Sequence, residues 1–476
     1  MKSNVPAYSL QDILDGTNGR VLKKKNEHFY GVATDTRTKN ENKVFFALKG
    51  ENHDAHDFLS QAALSGATGL VVQRVPEGTL DRKEIANLTV IEVDDTLVAL
   101  QKFSNYWRKK LGTKVVGITG SNGKTTTKEF TAAILSLKYK THFSRGSFNN
   151  HFGLPLSLLE LTPEHDVAVV EMGMNHPGEI TDLVRLAEPD IVVVTTVGRA
   201  HLEGLGSIEA IARAKEEIYL ASMPSAARIY NLDNSFTKEM LLRAPKSAKA
   251  ITYSSHDPSA HVHLKEVVSK LDFMTVRGLI SGQPGEVQIP IFGRQNITNL
   301  MAASCVALAC GVEPDLIWKG LSLCKTIWGR NQIYNLSVGA RVIFDGYNAN
   351  PDSMAALSEN VSRLSVLGKK IAIIGEMLEM GAHAASVHEE LGKTIGAGDF
   401  GIVWFVGSQS EAFGRGLNLS NYSKKLFVSK AYEEPIAREI LNMLQPNDVV
   451  MIKGSRGMKL EKVMLSWAPE HFQAKS

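Results

Sequence analysis

The residues with the clearest chemical capacity lie in KVVGITGSNGKTTTK, residues 114–128. Gly120-Ser121-Asn122-Gly123 forms a tight glycine-bearing turn, followed by Lys124, Thr125 and Thr126. A β-branched run before the turn predicts a buried strand. Phe130, Ile134 and Leu137 at helical spacing predict a helix after it. Strand, glycine loop and helix N-terminus make an anion site: backbone N–H groups point inward, the helix dipole favours negative charge, and Lys124 adds a full charge. Thr125 supplies the hydroxyl that such loops place on Mg²⁺. The usual G-x-x-x-x-G-K-[ST] spacing is broken, because Ile118 stands where the first glycine belongs. The altered loop suggests a particular subclass of nucleotide-binding protein.

Further chemistry-bearing residues sit at intervals downstream. Val167–Glu171 predicts a strand ending on a carboxylate, and Ile191–Thr196 a strand followed by Val197-Gly198-Arg199-Ala200-His201. Ser207 is the expected N-cap of a helix reaching Ser222, with Lys215 midway. Asn149 and Asn150 open NNHFGLP. Strands alternating with helices imply a mostly parallel sheet, with ligands outside the strands' carboxyl ends. The glycine loop, Glu171 and His201 all fall at such ends, so three distant positions converge on one crevice.

The positioning elements divide into an α/β arrangement of three domains. Residues 1–93 read as a small α/β unit, with strands at Phe29–Thr34, Lys43–Leu48, Thr68–Gln73 and Leu88–Val93 and a helix at His56–Ser65. Between its first two strands lie Asp35, Thr36 and Arg37, side chains that bond phosphate or sugar hydroxyls or else form a solvated turn. Thr96–Leu111 is a helix leading into a central unit, residues 94–326. Residues 251–292 alternate with Gly/Pro turns and predict antiparallel hairpins on one edge; Gly293–Asn299 then opens an Ala-rich buried helix. Residues 327–476 carry a second βα series, with strands at Arg341–Asp345, Lys370–Ile374, Ile402–Val406, Lys425–Val428 and Asp448–Lys453. Asn350 as N-cap and Pro351 at the first helical position start one helix there. This third unit reads as Rossmann-like, without the G-x-G-x-x-G that would indicate a dinucleotide.

At 476 residues the chain exceeds one hydrophobic core. Its 43% hydrophobic and 22% charged residues are ordinary for a soluble protein. A net charge of +3 demands neither nucleic acid nor an acidic membrane. No signal peptide and no apolar stretch near the ~20 residues of a membrane span are present. Cys305, Cys310 and Cys324 read as buried reduced thiols, and the chain as a cytoplasmic monomer.

Several stretches in family order resemble the Mur ligase family: ITGSNGKTT (118–126), NNHFGLP (149–155), EMGMNHPGEI (171–180), AHLEG (200–204), AKEEI (214–218) and Gly293–Asn299. YNANPDSM (347–354), GEMLEMG (375–381) and KGSRGMKLEK (453–462) point to the members that add D-alanyl-D-alanine. Gln295 departs from the family's histidine, and Phe344 and Gly346 flank Asp345 unusually. The resemblance implies ATP-driven amide formation in cell-wall biogenesis, through an acyl phosphate on UDP-N-acetylmuramoyl-tripeptide. A sibling ligase adding one amino acid, a folylpolyglutamate-synthase-like enzyme and an inactive nucleotide-binding scaffold are the alternatives.

The resemblance further implies roles. Gly120, Ser121, Asn122, Gly123, Lys124, Thr125, Thr126, Asn296, Asn299, Arg330 and Asp345 would hold ATP. Thr125, Glu171 and His201 would hold Mg²⁺; unaided by the family, His201 reads as a structural or base residue. Lys124, His201 and Lys215 would serve catalysis, Lys215 as a CO₂-derived carbamate, since an ammonium beside Mg²⁺ is electrostatically wrong. Asp35, Thr36, Arg37, Asn149, Asn150, Tyr347, Asn348, Asn350 and Arg456 would bind the substrates. A hinge near residues 325–330 would close the third domain over the second.

Overall fold

The computed structural model describes residues 5–50, 52–144, 146, 148–200 and 202–471. Four sheets account for its strands. The first ~90 residues hold a five-stranded sheet in the order Arg20–Lys23, Thr89–Glu92, Gly69–Val72, Val44–Phe46, Val32–Ala33. Its Arg20–Lys23 edge runs antiparallel and the remaining pairs parallel. Ala7–Ser9 and His28–Tyr30 make a separate two-stranded ribbon. The single strand expected over Phe29–Thr34 is thus two, broken at Gly31 with φ of 101°, a backbone region open mainly to glycine.

The central sheet has nine strands, and the glycine-loop strand Lys114–Thr119 lies inside it between Ile191–Val194 and Val167–Glu171. Both neighbours are parallel to it, with Glu171 opposite Ile118 and Val194 opposite Thr119. The three carboxyl ends are therefore level, as the crevice argument requires. Alternation sorts the strand's side chains: Val115 packs with Leu158 and Val170 on one face, Val116 and Ile118 with Phe130 and Ile134 on the other. The Asn296–Ala309 helix covers that second face, its small side chains almost all buried. The hairpins expected after residue 251 are present as Val262–Ser269, Met274–Ile280 and Gln283–Ile289, antiparallel and at one edge.

The Thr96–Leu111 helix has the predicted bounds for local reasons. Asp95 caps it by accepting from the Val98 N–H, and Gly112 ends it at φ 67°. It joins the first sheet to the second: Trp107 donates to the Leu161 carbonyl at 2.9 Å, and the Tyr8 hydroxyl donates to the Leu159 carbonyl.

The last sheet has six strands, in the order Gln332–Asn335, Arg341–Asp345, Val449–Lys453, Lys370–Gly375, Phe400–Val406, Lys425–Ser429. All pairs are parallel except the Gln332–Asn335 edge. Asn350 caps the Pro351–Ser362 helix as expected, in a reciprocal box with Ser353. Among the described residues no helix is long and apolar enough to cross a membrane.

Candidate active site

The glycine loop is braced from the neighbouring strand. Ser121 N–H donates to the Thr196 carbonyl at 2.8 Å, and the Ser121 hydroxyl donates to the Gly198 carbonyl at 2.9 Å. The Thr195 hydroxyl donates to the Asn122 carbonyl at 2.6 Å. Two glycines are required by contact. A Cβ on Gly120 would lie 1.9 Å from the Thr195 hydroxyl oxygen; one on Gly123, at φ 84°, would lie 2.2 Å from Asn299 Oδ1. Gly123 precedes the Lys124–Leu135 helix as its N-cap, so the loop's backbone can approach an anion at the positive end of the helix dipole.

Positive charge dominates this point. Lys124 Nζ donates to the Gly120 carbonyl at 2.7 Å. Desolvation lowers its pKa, Arg330 lowers it further and Glu171 opposes both. Lys215 is 1% exposed, and burial, then the charge on Lys124, push its pKa well below the ordinary lysine range. Lys453 is held beside Asp345 at 2.6 Å; burial lowers its pKa against the pull of that carboxylate, and Arg330 adds to the lowering. An arrangement that crowds these ammonium groups together favours a polyanionic ligand.

Glu171 is 1% exposed. The Thr125 hydroxyl donates to its Oε2 at 3.2 Å. Lys128 Nζ stands 3.2 Å from its Oε1. A carboxylate and a hydroxyl side by side suit a hard divalent cation that keeps several waters. His201 lies outside the described residues. Among those described, no group of three His, Cys, Asp or Glu side chains gathers for a metal.

A cavity of about 310 Å³ opens beside the loop between the second and third sheets. Of the residues expected at ATP, it is lined by Asn122, Gly123, Thr126, Asn296, Asn299, Arg330 and Asp345. Asn299 donates to Asn296 Oδ1 at 3.1 Å and accepts from Thr127 at 3.3 Å, so the pair also supports Gly123 from below. Arg330 stacks on Tyr347, its guanidinium carbon 4.6 Å from the ring centroid. Arg330 Nε and Asn331 Oδ1 are buried without a hydrogen-bond partner among the described residues. Such orphans in a cavity wall are available to a ligand with both donors and acceptors.

Gln295 lines the same cavity, and its Oε1 also accepts from Asn360 at 2.5 Å. Phe344 is fully buried against Trp328, and Gly346 leaves room for the Phe344 ring, 2.7 Å from where a Cβ would stand. Phe344 and Gly346 therefore serve packing, while Gln295 stays in the cavity wall and ties it to the Pro351–Ser362 helix through Asn360.

The expected substrate residues are spread over separate places. Asp35 lines a cavity of about 530 Å³ shared with His142, Phe148 and His165 of the central unit. Arg37 grips Asp35 at 2.7 Å and holds its carboxyl down to about 2; Thr36 and Arg37 do not line that cavity. Asn150 borders another cavity of about 720 Å³, and its Oδ1 also accepts from the Gly153 N–H at 2.9 Å. The Asn149 carbonyl accepts from the Gly173 N–H at 2.8 Å. Asn348 gives its carbonyl to Lys453 Nζ at 3.1 Å. Arg456 stacks over Trp328 at 4.7 Å and pairs with Glu461 at 3.2 Å.

Sequence reasoning missed Lys128 and Lys453, and it missed Asn231, Asp233 and Asn234, which line the 310 Å³ cavity. Asn231, Asp233 and Asn234, at and just past the end of the Ala227–Asn231 strand, were a usable signal. Lys453 stood inside a quoted motif, but its partner Asp345 is 108 residues away.

Comparison with known proteins places two family domains on this chain: the Mur ligase middle domain matches residues 118–307, and the Mur ligase glutamate ligase domain matches residues 329–456. The chain is 35% identical to the UDP-N-acetylmuramoyl-tripeptide–D-alanyl-D-alanine ligase of Bacillus subtilis, over 96% of this chain and 97% of that protein. It is similar to a crystal structure of MurF from Acinetobacter baumannii, with TM-score 0.87, 29% identity and coverage of 97% and 99%. It is also similar to the MurF ligase from Thermotoga maritima in complex with ADP, with TM-score 0.80, 27% identity and coverage of 92% and 97%.

Proposed function

This chain belongs to the Mur ligase family, among the UDP-N-acetylmuramoyl-tripeptide–D-alanyl-D-alanine ligases, and from that premise we propose that it joins D-alanyl-D-alanine to UDP-N-acetylmuramoyl-tripeptide in peptidoglycan synthesis, with ATP cleaved to ADP and phosphate. The observation that carries the ATP assignment is a braced glycine loop bearing Lys124 at a helix N-terminus, next to a cavity lined by Arg330 with unpaired polar atoms in its wall.

A carboxylate is a poor electrophile and must first receive a phosphoryl group. The tripeptide carboxylate oxygen attacks the γ-phosphorus, the bond to the β-phosphate oxygen breaks, and ADP departs. The dipeptide amine then attacks the acyl carbon, and phosphate leaves with the electron pair as the amine loses its proton. Such transfer relies on positioning and charge neutralisation. Lys124 and the loop N–H groups bind the phosphates. Asn122, Gly123, Thr126, Asn296, Asn299, Arg330 and Asp345 border the nucleotide cavity. Glu171 and Thr125 would hold Mg²⁺, joined by His201 as the family resemblance implies; bound there, the ion would supply neutralisation of phosphate and carboxylate charge.

Lys215 fits carbamylation. Only a neutral amine attacks CO₂, forming an N–C bond and releasing one proton to leave an anionic carbamate. Burial and Lys124 favour the neutral amine, and no side-chain hydrogen bond or ion pair joins the Lys215 Nζ to another described residue. The carbamate would then orient around the cation instead of repelling it.

The organisation we assign is three domains with boundaries near residues 94 and 327. The first takes the UDP moiety near Asp35, the second ATP, and the third presents the dipeptide from the side of Tyr347, Asn348 and Arg456. The working state is a cytoplasmic monomer. Trapping tests the reading. With UDP-tripeptide and ATP but no amine, borohydride reduction should yield an alcohol at the tripeptide terminus together with ADP; ADP formed without any trapped alcohol would contradict it.

A further inference from the structure

Lys128 sits one helical turn beyond Lys124, and its side chain is fully buried. Burying an ammonium is costly unless its three protons find acceptors. Here they do. Lys128 Nζ donates to the Ser144 carbonyl at 2.5 Å and to the Gly146 carbonyl at 3.1 Å, and it stands 3.2 Å from Glu171 Oε1. Glu129 Oε1 is more distant, at 3.5 Å. Lys128 thus draws on three chain segments: its own helix, the carboxyl end of the Val167–Glu171 strand, and the backbone that follows the Thr141–Phe143 strand.

The two Glu171 oxygens have different neighbours. Oε1 faces Lys128; Oε2 accepts from the Thr125 hydroxyl at 3.2 Å. Oε1 is buried and makes no hydrogen bond among the described residues, so the ion pair with Lys128 is what orients it, while the Thr125 hydrogen bond fixes Oε2. We infer that Lys128 is a positioning residue: its ammonium fixes the Glu171 carboxylate so that Oε2, beside Thr125, points to the divalent cation, while the same ammonium anchors the Ser144 and Gly146 backbone a few residues before Asn149 and Asn150. This rests on the assignment of Glu171 to the cation. The pair carries no net charge, so Lys128 also keeps Glu171 from being an isolated buried anion when no cation is bound.

Groups that orient a metal ligand from behind typically set metal affinity by about ten- to a hundred-fold. The test is Mn²⁺ binding, followed by electron paramagnetic resonance on the full-length protein with ADP, beside Mg²⁺ titration of ligase turnover. Wild type, Glu171→Gln, Lys128→Met, Lys128→Gln and Lys128→Arg are compared, with thermal melts of each. Glu171→Gln should weaken Mn²⁺ strongly; if it does not, the cation assignment itself falls. Given that it does, Lys128→Met should weaken Mn²⁺ about ten-fold or more and raise the Mg²⁺ needed for half-maximal turnover, with much of kcat recovered at high Mg²⁺. Lys128→Arg should recover part of the affinity. Should the Met variant fail to fold, Lys128→Gln, which keeps a donor for one carbonyl, is read by the same criteria. A folded neutral variant with lowered melting temperature but wild-type Mn²⁺ affinity would reduce Lys128 to a structural strap and overturn the inference.

Discussion

Asn350, the N-cap of the Pro351–Ser362 helix, donates its side-chain amide to Asn122 Oδ1 at 2.8 Å, and Asn122 Nδ2 donates back to Asn350 Oδ1 at 3.3 Å. A reciprocal amide pair thus links the third sheet's first crossover helix to the glycine loop. Nearby, Arg199 binds Asp352 at 3.1 Å and Glu390 at 2.8 Å. Residues from both sides of the cleft are therefore held together where the phosphates would lie.

Arg199→Ala should loosen this closure without unfolding the protein. The pairs are partly exposed, and such pairs contribute about 0.2–1 kcal/mol each. The expected result is a melting temperature within a few degrees of wild type and a larger radius of gyration by solution scattering. The increase should shrink on adding ADP and UDP-tripeptide. An unchanged scattering profile would remove the hinge near residues 325–330 from the account.

Gly123→Ala should disable nucleotide binding. The added Cβ meets Asn299 Oδ1 at 2.2 Å and forces a side chain to φ 84°. Strain of about 1–3 kcal/mol is expected at such a position, roughly a ten-fold or greater loss in ADP affinity. Calorimetric titration measures it. Asn299→Ala in the same chain relieves the contact but not the φ, so recovery should be partial.

Lys453→Met should be among the most destabilising single changes. Lys453 and Asp345 pair at 2.6 Å with side chains 1% and 11% exposed, and removing one partner of a buried pair costs about 3–5 kcal/mol. Denaturant midpoints check this. Replacing both partners by apolar residues should recover most of the loss while leaving ATP binding impaired.

Lys215 predicts opposite effects on stability and activity. Its pKa in the folded chain is depressed by burial and by Lys124, so between that value and the ordinary lysine range the unfolded chain binds more protons. Stability of the uncarbamylated protein should therefore rise with pH across that window. In CO₂-free buffer at neutral pH, Lys215→Met should melt higher than wild type yet lack turnover. Labelled bicarbonate should give a carbamate resonance in wild type that the variant lacks.

Much of this was readable from the chain because the cues are local. Lys114–Thr119, Val167–Glu171 and Thr96–Leu111 have the predicted bounds, since a glycine, a carboxylate-ended apolar run and a capped helix each carry their own punctuation. The Asn350-Pro351 start held for the same reason. Short edge strands such as Arg20–Lys23 and Gln332–Asn335 carry no readable pattern, because only one of their eight residues is buried and pairing alone defines them. Lys128 escaped notice because nothing in GKTTTK separates a buried ammonium from a solvated one; its acceptors lie 16 and 18 residues away on a different element. The role of Gln295 is equally non-local: its Oε1 accepts from Asn360, 65 residues on.

The most direct measurement is phosphate release by the purified protein with UDP-N-acetylmuramoyl-tripeptide, ATP and Mg²⁺, across a panel of amines. The account predicts turnover with D-alanyl-D-alanine, little with glutamate or lysine, and none when Lys124 and Glu171 are both alanine. Turnover with a single amino acid in preference to the dipeptide, or full turnover in the double variant, would contradict it.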